Sequence, residues 1–318
     1  MIFGAFVPQG WKLELAAFPD ASSKWSKALE IARLAEDLGY DSLWVYDHFH
    51  NVPMPSGEVV FECWTVTAAL TQATSRIRLG QMVGCAGYRN PALLAKMAAT
   101  VDVMSGGRLD FGIGAGWYRN EYLAYGYEFT SPARRIRGLE EAVEIIRRLW
   151  AEQEVTYEGR VHRVSRAQCD PKPLQCPSPP VLIGGSGEQL TLRVVARLAD
   201  RSNFGGDLET FKHKSRVLAA HCREVGRDFD EIVRTWTPDL FIRETEEELR
   251  EADPRSQWGE PQESWLAGNL IGTPEQVAEK IDAYRRAGCG GVIPWCRDYP
   301  DTTSLELFAT RVIPEFRR

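Results

Sequence analysis

A histidine next to a carboxylate is the clearest sign of chemistry in this sequence. Asp47 and His48 directly follow an apolar, strand-like segment at 41–46. Histidine gains and loses a proton near neutral pH, and a neighbouring carboxylate can bias its charge. His48 alone could be a loop residue satisfied by a backbone carbonyl, but the pair at a strand end favours an acid/base role or a ligand contact. We therefore predict that Asp47 and His48 are catalytic.

A glycine-rich segment indicates a second function, the binding of an anion. Gly184, Gly185, Ser186 and Gly187 follow a predicted strand and precede a predicted helix. Backbone N–H groups at such a junction, together with the helix dipole, bind phosphate without a lysine. The alternative is an ordinary tight turn between a strand and a helix. We predict that these four residues form a phosphate-binding loop.

The segment 105–121, SGGRLDFGIGAGWYRNE, predicts a buried strand that exits through a glycine-rich bend into an aromatic loop. Its GIGAG run is similar to a dinucleotide-binding fingerprint, but Trp117 occupies the place of the third glycine and a long helix follows. We reject that interpretation and predict the wall of a pocket. Gly116 would face a cofactor, while Trp117, Tyr118 and Glu121 would contact substrate or simply cover the pocket.

Two histidines raise the alternative of a metal site. His48 and His50 form an HxH pair, which in some barrels binds the metal of a hydrolase. Such a site needs more ligands at later strand ends, whereas His162, His213 and His221 lie in a predicted hairpin and a predicted helix. We therefore predict no metal and keep the metal-dependent hydrolase as an alternative.

Length and composition limit the class of protein. The 318 residues allow two domains or one large barrel, and the net charge of −6 without a Lys/Arg cluster argues against a nucleic-acid partner. No apolar run is long enough for a membrane span, and the N-terminus lacks the features of a signal peptide. Seven cysteines without a CxxC pair indicate reduced thiols. We expect a cytoplasmic protein without a membrane partner.

Strands and helices alternate along the whole chain. Eight strand-then-helix units predict a (β/α)8 barrel that forms a single domain over 1–318, with insertions near 153–180 and 244–268. An open, doubly wound sheet is the alternative, but no nucleotide fingerprint follows the first strand. The predicted strands lie near 1–7, 41–46, 77–83, 109–113, 181–183, 201–204, 232–242 and 292–295.

The C-terminal strand ends of such a barrel form its site. Here they are rich in glycine and aromatic residues, which suits a flat ring in an apolar slot with its phosphate held elsewhere. Besides the phosphate-binding loop, the predicted cofactor contacts are Asp47, Met82, Val83, Gly84, Gly116, Asn203, Gly205 and Gly206. The predicted substrate contacts are Gln9, Trp117, Tyr118, Glu121 and Trp295.

At these residues the chain resembles the luciferase-like flavin and deazaflavin oxidoreductases. The first matching segments are GYDSLWVYDHF at 39–49 and NPALLAK at 90–96. The strand and loop at 105–117, PKPLQ at 171–175 and the segment 179–187 also match. They cover nearly the whole chain in order. The chain is most similar to the branch described as probable coenzyme F420-dependent oxidoreductases.

The resemblance implies a barrel with insertions that binds a flavin-like ring, with His48 as an acid/base beside the reacting ring carbon. It also implies a non-prolyl cis peptide in the third strand, which alignment from 90–91 places at Met82–Val83. The family's deazaflavin-dependent sugar-phosphate dehydrogenases have a glutamate where this chain has Trp117, so the substrate is open. Members are commonly dimers, and we expect a homodimer.

These observations lead to one hypothesis with several alternatives. We predict an enzyme that transfers a hydride between coenzyme F420, a deazaflavin, and a small organic substrate. An FMN-dependent monooxygenase on the same scaffold is the first alternative. A flavin-binding protein without turnover and the metal-dependent hydrolase are the others.

Overall fold

Eight parallel strands pair in a closed ring in the computed structural model, which describes residues 1–317. The strands are β1 (Ile2–Phe6), β2 (Ser42–Val45), β3 (Arg78–Gln81), β4 (Leu109–Gly114), β5 (Val181–Gly184), β6 (Arg201–Asn203), β7 (Val233–Trp236) and β8 (Gly291–Val292). Each strand pairs with the next along the chain, and β8 pairs with β1. This closure confirms the predicted (β/α)8 barrel.

A helix follows each barrel strand and covers the outside of the ring. The helices are α1 (Ala21–Asp37), α2 (Cys63–Ala73), α3 (Pro91–Met104), α4 (Pro132–Ala151), α5 (Thr191–Leu198), α6 (Leu208–Val225), α7 (Pro274–Arg286) and α8 (Thr303–Leu307). Apolar residues at helical spacing, such as Ala28, Ile31 and Ala35 on α1, form the buried faces. Among residues 1–317, the helices all fall short of the length and apolar character that crossing a membrane needs.

Two of the predicted strands are each interrupted. The segment predicted at 232–242 divides into β7 and Asp239–Ile242, and the segment at 292–295 divides into β8 and Trp295–Cys296. Pro238 and Pro294 lie at the two breaks, where proline has no N–H to donate to a neighbouring strand. Asp239–Ile242 pairs with Leu270–Gly272 on one side and with Trp295–Cys296 on the other, which gives a small parallel sheet of three strands.

Both predicted insertions are present. The first contains an antiparallel hairpin, Val155–Glu158 with Arg163–Ala167, whose turn is fixed to α4 because three of its N–H groups donate to the Glu141 carboxylate. The second contains the short helices Glu246–Ala252 and Gln262–Gly268, which lie between Asp239–Ile242 and the strand that follows. The insertions confirm the expected departures from a minimal barrel.

Close contact between β3 and β4 depends on a residue without a side chain. A Cβ atom on Gly112 would lie 1.7 Å from the carbonyl oxygen of Gln81. We expect Gly112→Ala to lower the free energy of unfolding by about 1–3 kcal/mol or more, since overpacking forces the backbone apart. Gly57→Ala is the matched control, because a Cβ atom added there would meet no other atom within 4 Å. Equal urea midpoints for the two variants would contradict this packing.

Candidate active site

His48 and Glu121 form a hydrogen-bonded pair at the mouth of the barrel. The Nδ1 atom of His48 lies 2.8 Å from Oε2 of Glu121. His48 lies in the loop after β2, and Glu121 lies on the short helix Arg119–Ala124 after β4. The sequence pattern predicts a substrate contact for Glu121. In the structure its side chain is 0% exposed and is turned to His48.

The carboxylate of Glu121 is surrounded by hydrogen-bond donors. Its Oε1 accepts from the N–H groups of Phe49 and His50, and its Oε2 accepts from the hydroxyl of Tyr88. Burial opposes ionisation, but the hydrogen bonds from His48 and the two N–H groups outweigh it, so the pKa of Glu121 is lowered. An ionised carboxylate only accepts, so Nδ1 of His48 is the donor in this hydrogen bond.

Trp11 supports the imidazole from one face. Its ring is parallel to the ring of His48, with centroids 4.2 Å apart and an interplanar angle of 1°. Trp117 and Tyr118 approach the edges of the imidazole at 5.9 and 6.0 Å. The loop that carries Trp11 is held by Glu14, whose carboxylate accepts from three N–H groups of that loop. Sequence reasoning missed Trp11, although its place soon after the first strand end was a usable signal.

Asp47 does not contact His48, contrary to the sequence-based interpretation. Its two oxygens bind the guanidinium of Arg89 at 2.9 and 2.6 Å, and Oδ2 also accepts from the N–H of Cys85 at 2.7 Å. The side chain is only 1% exposed. Asp47 therefore joins the loop after β2 to the segment after β3, and Glu121 is the carboxylate that orients His48.

A cavity of about 360 Å³ opens between the ends of β3, β4, β5 and β6. Seven of the residues predicted to contact cofactor or substrate line this cavity, together with residues of α4 and α5. Its lining is Met82, Val83, Gly114, Ala115, Gly116, Trp117, Pro132, Arg135, Ile136, Gly184, Gly185, Thr191 and Asn203. We call it the ring cavity.

Val83 forms the back of the ring cavity. The Met82–Val83 peptide is cis, as the family resemblance implied. Cβ atoms on Gly114 and Gly184 would come within 2.7 and 2.9 Å of the Val83 methyl groups. These positions therefore require glycine, because any side chain would displace Val83 into the cavity.

The loop at 184–187, which the sequence predicts to bind phosphate, is not directly followed by a helix. Helix α5 begins at Thr191, and the N–H of Gly185 donates to the carbonyl of Asn203 at 3.1 Å. Ser186 and Gly187 are exposed at the rim and do not line the cavity. Within residues 1–317 their N–H groups make no hydrogen bond, so these two groups are the free donors of the loop.

Four other predicted contacts lie away from the ring cavity. Gly84 is buried against the carbonyl of Gly112, and Gly205 is exposed and does not line the ring cavity. Gly206 lines a different cavity, and Trp295 is buried at 2% exposure.

Gln9 also differs from the prediction, because its side chain is fully occupied inside the protein. It is 1% exposed, and its amide bonds to the backbone of Tyr46 and Phe61. Gln9 therefore links the segment after β1 to the segment after β2. Among residues 1–317, no group of three or more His, Cys, Asp or Glu side chains is arranged to hold a metal ion.

The chain belongs to the family described as luciferase-like monooxygenase, whose model matches residues 3–263. It is 27% identical to an F420-dependent glucose-6-phosphate dehydrogenase of Microbacterium testaceum, over 92% of this chain and 94% of that protein. It is 26% identical to an FMNH2-dependent dimethylsulfone monooxygenase of Pseudomonas putida, over 91% of this chain and 87% of that protein. The family thus includes relatives named for either cofactor.

Other comparisons agree on the fold. A coenzyme F420-dependent tetrahydromethanopterin reductase from Methanopyrus kandleri superposes with a TM-score of 0.81, covering 99% of both chains at 21% identity. An uncharacterised protein of Mycobacterium tuberculosis is 33% identical, and the match spans 53% of this chain and 64% of that relative. The superposition supports the (β/α)8 barrel.

We expect Glu121→Gln to destabilise the protein at neutral pH. A hydrogen bond to a charged group contributes about 1.5–3 kcal/mol, and the amide cannot serve all four donors. Folding lowers the pKa of Glu121, so the ionised carboxylate adds to the free energy of unfolding at pH values above its ordinary pKa. This contribution is lost as the pH falls through the lowered pKa of the folded state. The difference in melting temperature between wild type and variant should therefore shrink in acid. A difference that does not change with pH would contradict this, and exposed Glu263→Gln is the control.

Proposed function

We propose that this protein is a deazaflavin-dependent oxidoreductase that transfers a hydride between coenzyme F420 and a small organic substrate. The observation that carries the proposal is the position of the ring cavity beside the His48–Glu121 pair. Trp117 lines the cavity, and its ring lies 5.9 Å from the imidazole of His48. Hydride transfer to or from a carbonyl carbon also requires a proton, and the pair offers one at that place.

The ring cavity suits a flat ring with a phosphate. Met82, Val83 and Ile136 supply apolar walls, while Arg135 and Thr191 supply polar groups near the phosphate-binding loop. Gly114 and Gly184 have no side chains to push Val83 aside, so the ring cavity stays open. When bound, a deazaflavin supplies hydride chemistry and reacts poorly with oxygen.

His48 and its neighbours would transfer the proton that accompanies the hydride. Nε2 of His48 would accept a proton from a substrate hydroxyl during oxidation and return one during reduction. Glu121 holds the ring through Nδ1 and stabilises the protonated imidazole, as an ionised partner does in other acid/base pairs. Trp11 covers one face of the imidazole, which fixes its plane and excludes water from that side.

An FMN-dependent monooxygenase is the second candidate. The same apolar slot and phosphate-binding loop would suit FMN, and one relative is an FMNH2-dependent enzyme. We propose a cytoplasmic location for either enzyme, since seven cysteines without a CxxC pair suit reduced thiols. The homodimer expected from the family resemblance stays a prediction.

His48→Ala tests the acid/base role. We expect turnover to fall by roughly 10²–10⁴ while cofactor affinity stays within a few-fold, because the group acts in the chemical step. Stopped-flow reduction of the cofactor and a fluorescence titration measure the two quantities. His213→Ala on α6 is the control, since that histidine is exposed and pairs with Glu188. Normal turnover in His48→Ala would assign the proton transfer to another group.

Gly185→Val tests the phosphate-binding loop. Gly185 has a φ of +137°, and a Cβ atom there would lie 3.0 Å from the methyl group of Thr191, so a branched side chain would distort the loop. We expect at least tenfold weaker cofactor binding with an unchanged fold. Gly205→Ala is the control, because it has an ordinary φ and open space. An unchanged dissociation constant for Gly185→Val would place the phosphate elsewhere.

A further inference from the structure

We propose that Glu188 and His221 position the phosphate-binding loop, although neither residue lines the ring cavity. Glu188 directly follows the loop, and His221 lies on α6, on the outside of the barrel. A role in cofactor binding rests on the function proposed above. The two residues would set the affinity for the phosphate of a ligand without contacting the ligand themselves.

The phosphate-binding loop has few hydrogen bonds of its own to the barrel. The N–H of Gly185 donates to the carbonyl of Asn203, and within residues 1–317 the N–H groups of Ser186 and Gly187 make none. The carbonyl of Gly187 accepts from the N–H of Leu192 in α5 at 3.0 Å. The chain from Gly185 to Gly187 is exposed. Holding the two free donors ready for an anion therefore requires a further contact.

Glu188 supplies one such contact through its carboxylate. Its Oε1 lies 2.5 Å from the ammonium of Lys214 on α6, and the Lys214 side chain is only 16% exposed. This hydrogen bond lowers the pKa of Glu188, so the carboxylate is ionised at neutral pH. His213 reaches the same oxygen at 3.0 Å, but its side chain is 51% exposed, and Lys214 keeps the contact without it.

The main chain of Glu188 makes a second contact with α6. Its carbonyl oxygen lies 2.8 Å from Nε2 of His221, and a carbonyl only accepts, so Nε2 is the donor. Nδ1 of the same imidazole lies 3.4 Å from the carboxylate of Glu224, and the His221 side chain is 14% exposed. Because this contact is made to the main chain, it fixes the backbone of the residue that follows Gly187.

Helix α6 gives these contacts a firm support. Lys214 and His221 are seven residues apart, which is about two helical turns, so they lie on the same face of α6. Phe211 and Leu218 on the same helix are buried in the hydrophobic core. Glu188 therefore connects an exposed loop to a helix that the core holds in place.

A loop that is already ordered binds a phosphate more tightly, because less freedom of the chain is lost on binding. A carboxylate so close to the loop would repel an anion, but the ammonium of Lys214 balances the charge of Glu188. Removing either contact should therefore weaken ligands that carry a phosphate. Ligands with the same ring and no phosphate should bind as before.

Glu188→Ala in the full chain tests the carboxylate. F420 and FMN would each be titrated beside a phosphate-free counterpart, a deazariboflavin and riboflavin, with ligand fluorescence as the signal. We expect the phosphate-bearing ligand to bind about threefold to tenfold more weakly, the effect of one or two lost hydrogen bonds. The phosphate-free ligand should stay within twofold.

Glu209→Ala is the matched control, because it removes an exposed ion pair with Lys212 on the same helix. It should change the affinity for neither ligand. Unchanged binding of the phosphate-bearing ligand by Glu188→Ala, or an equal loss for both ligands, would overturn the proposal.

His221→Phe and His221→Gln test the contact to the main chain. Phenylalanine has no donor, so we expect phosphate-bearing ligands to bind about threefold to tenfold more weakly. The glutamine amide can donate to the same carbonyl, so His221→Gln should stay within twofold of wild type. Equal affinities of the two variants would overturn the proposal. So would a loss for every ligand that accompanies a lower urea midpoint, because that result shows a merely structural role.

The proposed cofactor and the proposed positioning residues fail separately. If FMN binds and F420 does not, the cofactor assignment fails, and FMN against riboflavin still tests Glu188 and His221. If F420 binds Glu188→Ala as tightly as wild type, the positioning role fails and the cofactor stands. If neither phosphate-bearing ligand binds the wild type, both proposals are overturned.

Discussion

A buried carboxylate that must be fully hydrogen-bonded determines the geometry of this site. Glu121 is inaccessible to water, and an unpaired charge at such a depth would cost several kcal/mol. Its partners all come from the loops after β2 and β3: His48, Phe49, His50 and Tyr88. Satisfying this one group therefore joins three strand ends and sets the orientation of the imidazole.

The ring cavity lies next to the polar groups that surround this carboxylate, since Trp117 lines the cavity and its ring lies 5.9 Å from the imidazole of His48. The apolar, glycine-rich walls of the ring cavity suit a flat ring. Under the proposed function, a proton exchanged by His48 would accompany a hydride exchanged in the ring cavity.

The sequence predicted the barrel and most of the ring cavity, because alternating strands and helices place every strand end at one mouth. It did not predict the partner of His48. Asp47 is the adjacent carboxylate, but neighbours in extended backbone point to opposite sides, so Asp47 meets Arg89 instead. Glu121 lies 73 residues away, and its burial depends on the packing of a short helix that no local pattern reveals.

The cofactor is the central claim, and equilibrium binding tests it most directly. Purified protein would be titrated with F420 and with FMN under the same conditions, with cofactor fluorescence as the signal. The account predicts that F420 binds at least tenfold more tightly and that excess FMN does not displace it. Tighter binding of FMN would contradict the account and favour the monooxygenase.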